Sequence, residues 1–403
     1  MSMIALAFAY LRRRWGQALL SVLVGALGIA AVGVAFAGLD ALPEAAERSW
    51  GGVDLVIGPK GSALDLVLCC ALHVSDPRGL VSEKTAMAAA SHPLIRVAAP
   101  IALGDNVDGW RIVGTTPKLL WVYRADLAQG REWTKPLEAV LGAQAARALK
   151  LKLGAKFIGA HGLEAGGEMH SQFPYTVVGI LAPTGSALDR MVLTDIETVR
   201  YIHKMHQEDE AAETGVAETY VNLPDAATAV VASYKSPVAA LLVPRLIERD
   251  PTLTAASPSF EIARLMSYLR PLTIAATALG LLLVAIAAAG AAASLMATMN
   301  ARTRDLALLR ALGAGPASLA LVAVAESVMI ALVAAAAGLM LTWLLLTIGA
   351  GLLADRTGLL LTPKIDPGDV VTIIAGALGV AILAALFPAI RAARTPIEEL
   401  LQS

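Results

Sequence analysis

Long stretches without charged residues divide this chain unevenly. Residues 16–39, 271–301 and 370–390 contain no Asp, Glu, Lys or Arg, and residues 311–354 contain only Glu326. A helix rises about 1.5 Å per residue, so about 20 apolar residues span a bilayer core of about 30 Å. Because a helix satisfies its own backbone hydrogen bonds in lipid, the pattern predicts four membrane-spanning helices. One precedes a long polar segment and three follow it.

The segment between the first and second spans has the mixed pattern of an α/β domain. The predicted strands are 52–57, 94–101, 109–113, 151–158, 175–181, 191–193, 218–222 and 229–233. The predicted helices are 62–74, 137–149, 195–205 and 237–249. Helical patterns at 39–50 and 259–269 predict that the first two spans continue beyond the membrane as stalk helices. We expect the domain to form two lobes.

These patterns predict an α-helical membrane protein with four transmembrane helices (1 + 3) and a large α/β extracytoplasmic domain inserted between helices 1 and 2. The predicted domains are residues 1–39 with the first helix, 40–266 with the α/β domain, and 267–403 with the remaining helices. The apolar run of the first span exceeds the roughly 7–15 residues of a signal-peptide core, which favours an uncleaved anchor.

The basic residues predict the orientation. Arginines cluster at 12–14, at 302–310 and at 391–394. Short cytoplasmic segments collect Arg and Lys, so we expect both termini and the loop between the second and third spans to be cytoplasmic. Charged residues make up only 16% of the chain, against about 25% in soluble domains. A formal net charge of −1 argues against a nucleic-acid partner.

The cytoplasmic loop at about 301–313 predicts a short amphipathic helix that ends at Gly313. Leucines can face the membrane while charged residues face the cytoplasm. From the residues alone, this helix either joins two spans or also docks a partner. The charged and apolar residues that would contact a partner are Arg302, Arg304, Asp305, Leu308 and Arg310.

The same loop resembles the coupling helix of the MacB/FtsX-type permease family. The resemblance extends through the later spans and into the α/β segment. It rests on Leu-Arg-Ala-Leu-Gly-Ala at 309–314, Phe-Pro-Ala-Ile-Arg at 387–391, Pro-Ile-Glu-Glu-Leu at 396–400, Gly-Arg-Glu-Trp at 130–133 with Glu-Ala-Val-Leu-Gly at 138–142, and Tyr-Thr-Val-Val-Gly-Ile at 175–180.

The resemblance implies a non-catalytic permease subunit of a type VII ABC transporter in a bacterial inner membrane, with its large domain in the periplasm. Such permeases pair with a second permease copy and with separate ATP-binding subunits, which hold ATP and Mg²⁺. They transmit ATP hydrolysis to the periplasm as motion and act on lipoprotein, hydrophobic or peptide cargo, often with a periplasmic protein partner. The chain contains no GxxxxGK[ST] motif, which agrees with an ATPase on another chain and with no cofactor bound here.

Two sets of polar residues each have two possible roles. Glu326 is the only acidic residue within a span, where carboxylates usually face a protein interior, and helix packing or proton relay would each explain it. His203 and His206 are one helical turn apart, which suits either a solvated face or half of a metal site completed by His161, His170 or Glu208. Two alternative functions therefore stay open: a transmembrane signalling subunit that activates a periplasmic partner, and a periplasmic metal-handling module.

Overall fold

The computed structural model describes residues 12, 15–163, 167–214, 225–301, 316–357, 361–362 and 364–394. Ten α-helices lie within these ranges. They are α1 (Trp15–Trp50), α2 (Ala63–Cys70), α3 (Glu83–Ala89), α4 (Lys118–Tyr123), α5 (Ala143–Leu149), α6 (Ile196–Thr214), α7 (Ala239–Ile247), α8 (Pro258–Ala301), α9 (Pro316–Thr357) and α10 (Pro367–Arg394).

The same ranges contain twelve strands. They are β1 (Leu55–Pro59), β2 (Val81–Ser82), β3 (Ile95–Val107), β4 (Trp110–Thr115), β5 (Leu127–Gly130), β6 (Glu138–Leu141), β7 (Lys156–His161), β8 (Met169–Leu181), β9 (Val192–Asp195), β10 (Ala226–Ala227), β11 (Ala229–Tyr234) and β12 (Leu253–Ala256).

Four of the helices are long and apolar enough to cross a bilayer, judged by length and composition. They are α1, part of α8 (Pro258–Ala293), part of α9 (Val324–Ala354) and part of α10 (Pro367–Leu386). The predicted 1 + 3 arrangement of spans around an α/β domain is therefore confirmed.

The chain forms two compact units. The helical unit combines Met1–Leu42, Ser267–Leu352 and Leu361–Ser403, and the sheet unit combines Pro43–Met266 with Leu353–Leu360. Three helices, α1, α8 and α9, contribute residues to both units without a break in the helix. The predicted helical segments at 39–50 and 259–269 are parts of α1 and α8.

The sheet unit is built on one ten-stranded sheet with the order β12-β1-β11-β3-β4-β9-β6-β8-β5, and β7 pairs with β3 and β8. The pairs β4–β9 and β6–β8 are parallel, and the others are antiparallel. One face is covered by α2 and α4, with Trp50 from α1 and Ile262 from α8 buried beside them. The opposite face is covered by α3, α6 and α7. Serine side chains cap two of these helices, since Ser62 and Ser82 accept hydrogen bonds from backbone N–H groups of the first turn.

One predicted helix is wrong in its first turn. Residues 138–141 form strand β6, and helix α5 begins only after Gly142. The strand lies between β8 and β9, where Val140 and Leu141 are fully buried. Pairing on both edges and burial on both faces outweigh a local helical pattern. The predicted strand at 218–222 lies outside the described residues.

In the helical unit, small residues allow close helix crossings. A Cβ atom at Gly28 of α1 would lie 2.6 Å from the carbonyl oxygen of Gly280 in α8. A Cβ atom at Gly338 of α9 would lie 2.6 Å from the Ile29 side chain. Such contacts are typical of membrane helices, which gain packing contacts when small residues let their backbones approach.

Candidate functional site

A buried carboxylate surrounded by histidines is the most unusual polar feature of the sheet unit. Asp105 in β3 has no exposed side-chain surface. Its Oδ1 atom lies 2.9 Å from His203 Nε2 and 3.3 Å from His170 Nε2. His161 Nδ1 lies 3.8 Å from the same oxygen. Three imidazole rings therefore converge on one carboxylate oxygen.

A bulge in β3 directs Asp105 into this site. In the pairing with β4, Leu103 lies opposite Val113, but Asp105 lies opposite Ile112, with Gly104 as the extra residue. Leu103 and Val113 belong to the core on one face of the sheet, and Ile112 belongs to the core on the other. Regular alternation would place residues 103 and 105 on the same face. The bulge therefore moves Asp105 to the face that α6 covers.

His203 reaches Asp105 from α6, which packs on this face through buried Val199 and Ile202. The imidazole ring lies directly against the backbone of Gly104. A Cβ atom at that position would lie 2.0 Å from His203 Cε1 and 2.6 Å from Nε2. Only glycine leaves enough room for the ring, so the bulge residue both redirects β3 and accommodates the histidine.

The other two histidines come from neighbouring strands. His161 ends β7 and lies opposite Asp105 in the β3–β7 pairing. His170 lies near the start of β8, which pairs with β7. The buried Asn106 side chain donates a hydrogen bond of 3.1 Å to the carbonyl oxygen of Gly162 and so fixes the chain beside His161.

Burial and hydrogen bonding set the charge of the site. Burial raises the pKa of the Asp105 carboxyl, but hydrogen bonds from His170 and His203 lower it, and the pKa falls to about 2. Asp105 is therefore a carboxylate at neutral pH. Burial, together with this negative charge, raises the pKa of the Tyr175 hydroxyl well above its usual range. The hydroxyl is then neutral and keeps its proton.

The donor atoms of this cluster have the chemistry of metal ligands. Single ligand atoms of Asp105, His161 and His203 all lie within 4.8 Å of one another. His170 and His203 are almost fully buried, at 7% and 5% side-chain exposure, whereas His161 is 43% exposed. The cluster thus has a buried interior and one open side at His161.

The structure brings together part of the predicted histidine set. His203 lies with His161 and His170, both of which were named from the sequence as candidates to complete a site. The side chains of His206 and Glu208 lie outside the described residues. Asp105 was not among the predicted site residues, because the strand was predicted to end at residue 101. The available signal was a lone Asp-Asn pair between apolar residues of one strand.

The remaining predicted site residues stay predictions. Residues 302–315, which include Arg302, Arg304, Asp305, Leu308 and Arg310, lie outside the described ranges. Glu326 lies in α9 and is half-buried.

The Gly-Arg motif forms a local ion pair. Arg131 donates hydrogen bonds of 2.8 and 2.5 Å to the two carboxylate oxygens of Glu138. Glu138 also accepts a hydrogen bond of 2.8 Å from the backbone N–H of Thr134. The hydrogen bonds from Arg131 and then Thr134 lower the pKa of the Glu138 carboxyl to about 2. This ion pair closes the turn that leads into β6.

Comparison with known proteins assigns the chain to a family. Residues 18–234 match the MacB-like periplasmic core domain, and residues 277–397 match the FtsX-like permease C-terminal domain. The first match covers more than half of the chain. The chain therefore belongs to the MacB/FtsX-type permease family, and it is a membrane protein with the role of an ABC transporter permease.

Solved structures give weaker likenesses. The periplasmic region of MacB from Actinobacillus actinomycetemcomitans is 14% identical, with a TM-score of 0.34, and the match covers 54% of this chain and 94% of that one. The extracellular domain of the noncanonic ABC-type transporter YknZ from Gram-positive bacteria is 12% identical, with a TM-score of 0.29, covering 51% and 99%. No curated protein matches the chain.

Proposed function

We propose that this permease transmits ATP hydrolysis by a separate subunit to the periplasm as motion, and so moves or extracts a lipoprotein, hydrophobic or peptide cargo. The observation that carries the proposal is the continuity of α1 and α8. Each helix contains a membrane-spanning stretch and also residues of the sheet unit. A continuous helix is a stiff element along which a displacement in the membrane can reach the domain.

The ends of both helices are anchored in the sheet unit. Trp50 at the end of α1 and Ile262 in the first turns of α8 are buried in the same hydrophobic core as Leu119 and Val140. Moving either helix would disturb this core, whose side chains are closely packed. The sheet unit is therefore expected to follow the helices rather than remain independent of them.

Prolines in these helices suit a bending motion. Pro43 lies inside α1 at the first residue of the sheet unit, and Pro271 lies inside α8 four residues after Ser267, where the helical unit resumes. Proline removes one helical hydrogen bond and is the commonest site of helix bending. Each helix is therefore expected to be stiff on either side of its proline, and we propose that bending is confined to these two positions.

The proposal includes the partners implied by the family. The ATP-binding subunit would hold ATP and Mg²⁺ and dock on the loop that includes Arg304 and Asp305. A second permease copy would complete a dimer in the bacterial inner membrane, with both termini cytoplasmic. Cysteines placed along residues 272–285 should crosslink between copies on one helical face, and crosslinks confined to single chains would contradict the dimer.

A charge-reversal experiment tests the coupling. The Arg304→Asp, Asp305→Arg variant should lose co-purification with the ATPase, or lose the permease-stimulated ATP hydrolysis in proteoliposomes. The matched control is Asp355→Arg, Arg356→Asp, which exchanges the same two residue types at the C-terminal end of α9, the end away from the cytoplasmic loop. Full stimulation by the 304/305 variant would refute the docking assignment.

A second measurement separates transport from signalling. A pair of fluorophores on the sheet unit should report an ATP-dependent change in distance that disappears in the 304/305 variant. An ATP-driven change in this distance that is accompanied by release of cargo would support the permease role. The same change with activation of a periplasmic protein, and without cargo, would favour the signalling alternative.

A further inference from the structure

The cluster around Asp105 lies within the sheet unit, and an inference about it does not depend on the permease assignment. We propose that Asp105, His161 and His203 bind one zinc ion. The proposal rests on three side chains from β3, β7 and α6, whose ligand atoms lie within 4.8 Å of one another. His170 remains a hydrogen-bond partner of the Asp105 carboxylate.

The spacing of the donor atoms agrees with tetrahedral coordination. Zinc bonds to His nitrogen and Asp oxygen are about 2.0–2.1 Å long, so neighbouring ligand atoms around a tetrahedral ion lie about 3.3–3.4 Å apart. His203 Nε2 and His161 Nδ1 lie 2.9 and 3.8 Å from Asp105 Oδ1, and one ligand atom from each of the three residues lies within 4.8 Å of the others. Side-chain movements of about 1 Å would bring these atoms to the required spacing, and the fourth position would be left for water, as in zinc sites with three protein ligands.

Hydrogen bonding alone explains the cluster less well. His203 and His170 lie within hydrogen-bond distance of Oδ1, but His161 Nδ1, at 3.8 Å, is too far away to donate to it. Meanwhile Asp105 Oδ2 is buried without a hydrogen-bond partner among the described residues. A cation at the convergence point would be bound by ring nitrogens and by the carboxylate together.

The surroundings supply features expected of a metal site. Gly104 leaves room for the His203 ring, and Asn106 fixes the chain beside His161 through Gly162. Such supporting contacts orient ligands around metals. The partial exposure of His161, at 43%, gives an ion a path to ligands that are otherwise buried.

The set of donors selects the ion. Two imidazole nitrogens and one carboxylate oxygen, with no thiolate, suit zinc and are poor ligands for magnesium or calcium, which prefer oxygen. The two cysteines, Cys69 and Cys70, belong to the core on the opposite face of the sheet and are not part of the site.

The proposal can be tested with zinc alone. Metals are first removed with a chelator from the full chain in detergent, and zinc is then added. Calorimetry should show one saturable site per chain. The His161→Ala variant should bind more than about tenfold more weakly, since even loss of an outer contact costs 10–100-fold. The matched control is His92→Ala, which removes a histidine beyond the cluster, one whose Nδ1 accepts a hydrogen bond from the Leu94 backbone.

Further variants keep the test decisive. Asp105→Asn preserves the shape of the side chain but removes its charge, and should also weaken binding. Cobalt substituted for zinc should give the strong visible absorption of a tetrahedral complex. If a variant of a buried residue fails to fold, zinc binding by the His161→Ala variant still tests the proposal, because His161 is half-exposed. No saturable zinc binding by the wild-type chain, or equal affinity in His161→Ala, would overturn the proposal. Either result leaves the ATPase-coupling experiment unaffected.

Discussion

Replacing Gly104 by alanine should displace His203 from Asp105. The new methyl carbon would lie 2.0 Å from His203 Cε1, whereas carbon atoms in contact normally lie about 3.5–4.0 Å apart. The ring must therefore move by about 1.5 Å or more. This movement would break the 2.9 Å contact between His203 Nε2 and Asp105 Oδ1.

The expected loss of stability follows from two terms. Overpacking of a buried site costs about 1–3 kcal/mol, and loss of a hydrogen bond to a charged group costs about 1.5–3 kcal/mol. We expect a total near 3 kcal/mol, because relaxation of the ring relieves part of the clash. For a domain of this size, that loss lowers the apparent Tm by about 6–12 °C.

Thermal unfolding of the full chain in detergent, with chelator present, measures the effect. The matched control is Gly61→Ala, because a Cβ atom there would meet nothing closer than a carbonyl oxygen at 4.0 Å. A double-mutant cycle identifies the cause. In a His203→Ala background the ring is absent, so Gly104→Ala should cost little. An equal cost in both backgrounds would refute the stated clash with the imidazole.

Two further predictions concern other parts of the structure. Glu138→Gln should lower the Tm by about 2–4 °C at neutral pH, because Glu138 pairs with the half-exposed Arg131. Since the pKa of Glu138 is lowered from 4.5 to about 2, the contribution of the ion pair is complete above pH 4.5 and is lost as the pH falls toward 2. Unfolding midpoints of the two proteins should therefore converge in that range, and a constant difference would contradict the assignment. In the helical unit, Gly280→Leu should destabilise the protein in detergent, because a Cβ atom there would lie 2.7 Å from the Gly28 carbonyl oxygen. Gly349→Leu is the control, since no atom lies within 4 Å of a Cβ atom at that position, and equal stability of the two variants would count against the crossing.

The sequence alone determined the spans and the general architecture. Each span is a local property, because some 20 consecutive apolar residues can satisfy their backbone in lipid only as a helix. Local helical periodicity also predicted the helical segments at 39–50 and 259–269, which are parts of α1 and α8. The motif at 175–180, which resembles a motif of the permease family, likewise lies in a strand, β8.

Strand β6 shows where local pattern failed. Residues 138–141 have the composition of a helix start, but their neighbours in the sheet, β8 and β9, come from residues 169–181 and 192–195. The free energy that selects the strand comes from pairing and burial with these distant segments. A window of adjacent residues does not contain that information.

The histidine cluster was decided by tertiary structure for the same reason. The spacing of His203 and His206 identified His203 as a candidate ligand, because the residues that lie on neighbouring turns of a helix can be read directly from the sequence. Bringing His161 and His170 to it required the β7–β8 pairing, and turning Asp105 toward it required an extra residue at Gly104. A one-residue bulge reverses the face of every following side chain in a strand, and its position depends on the partner strand rather than on the strand itself.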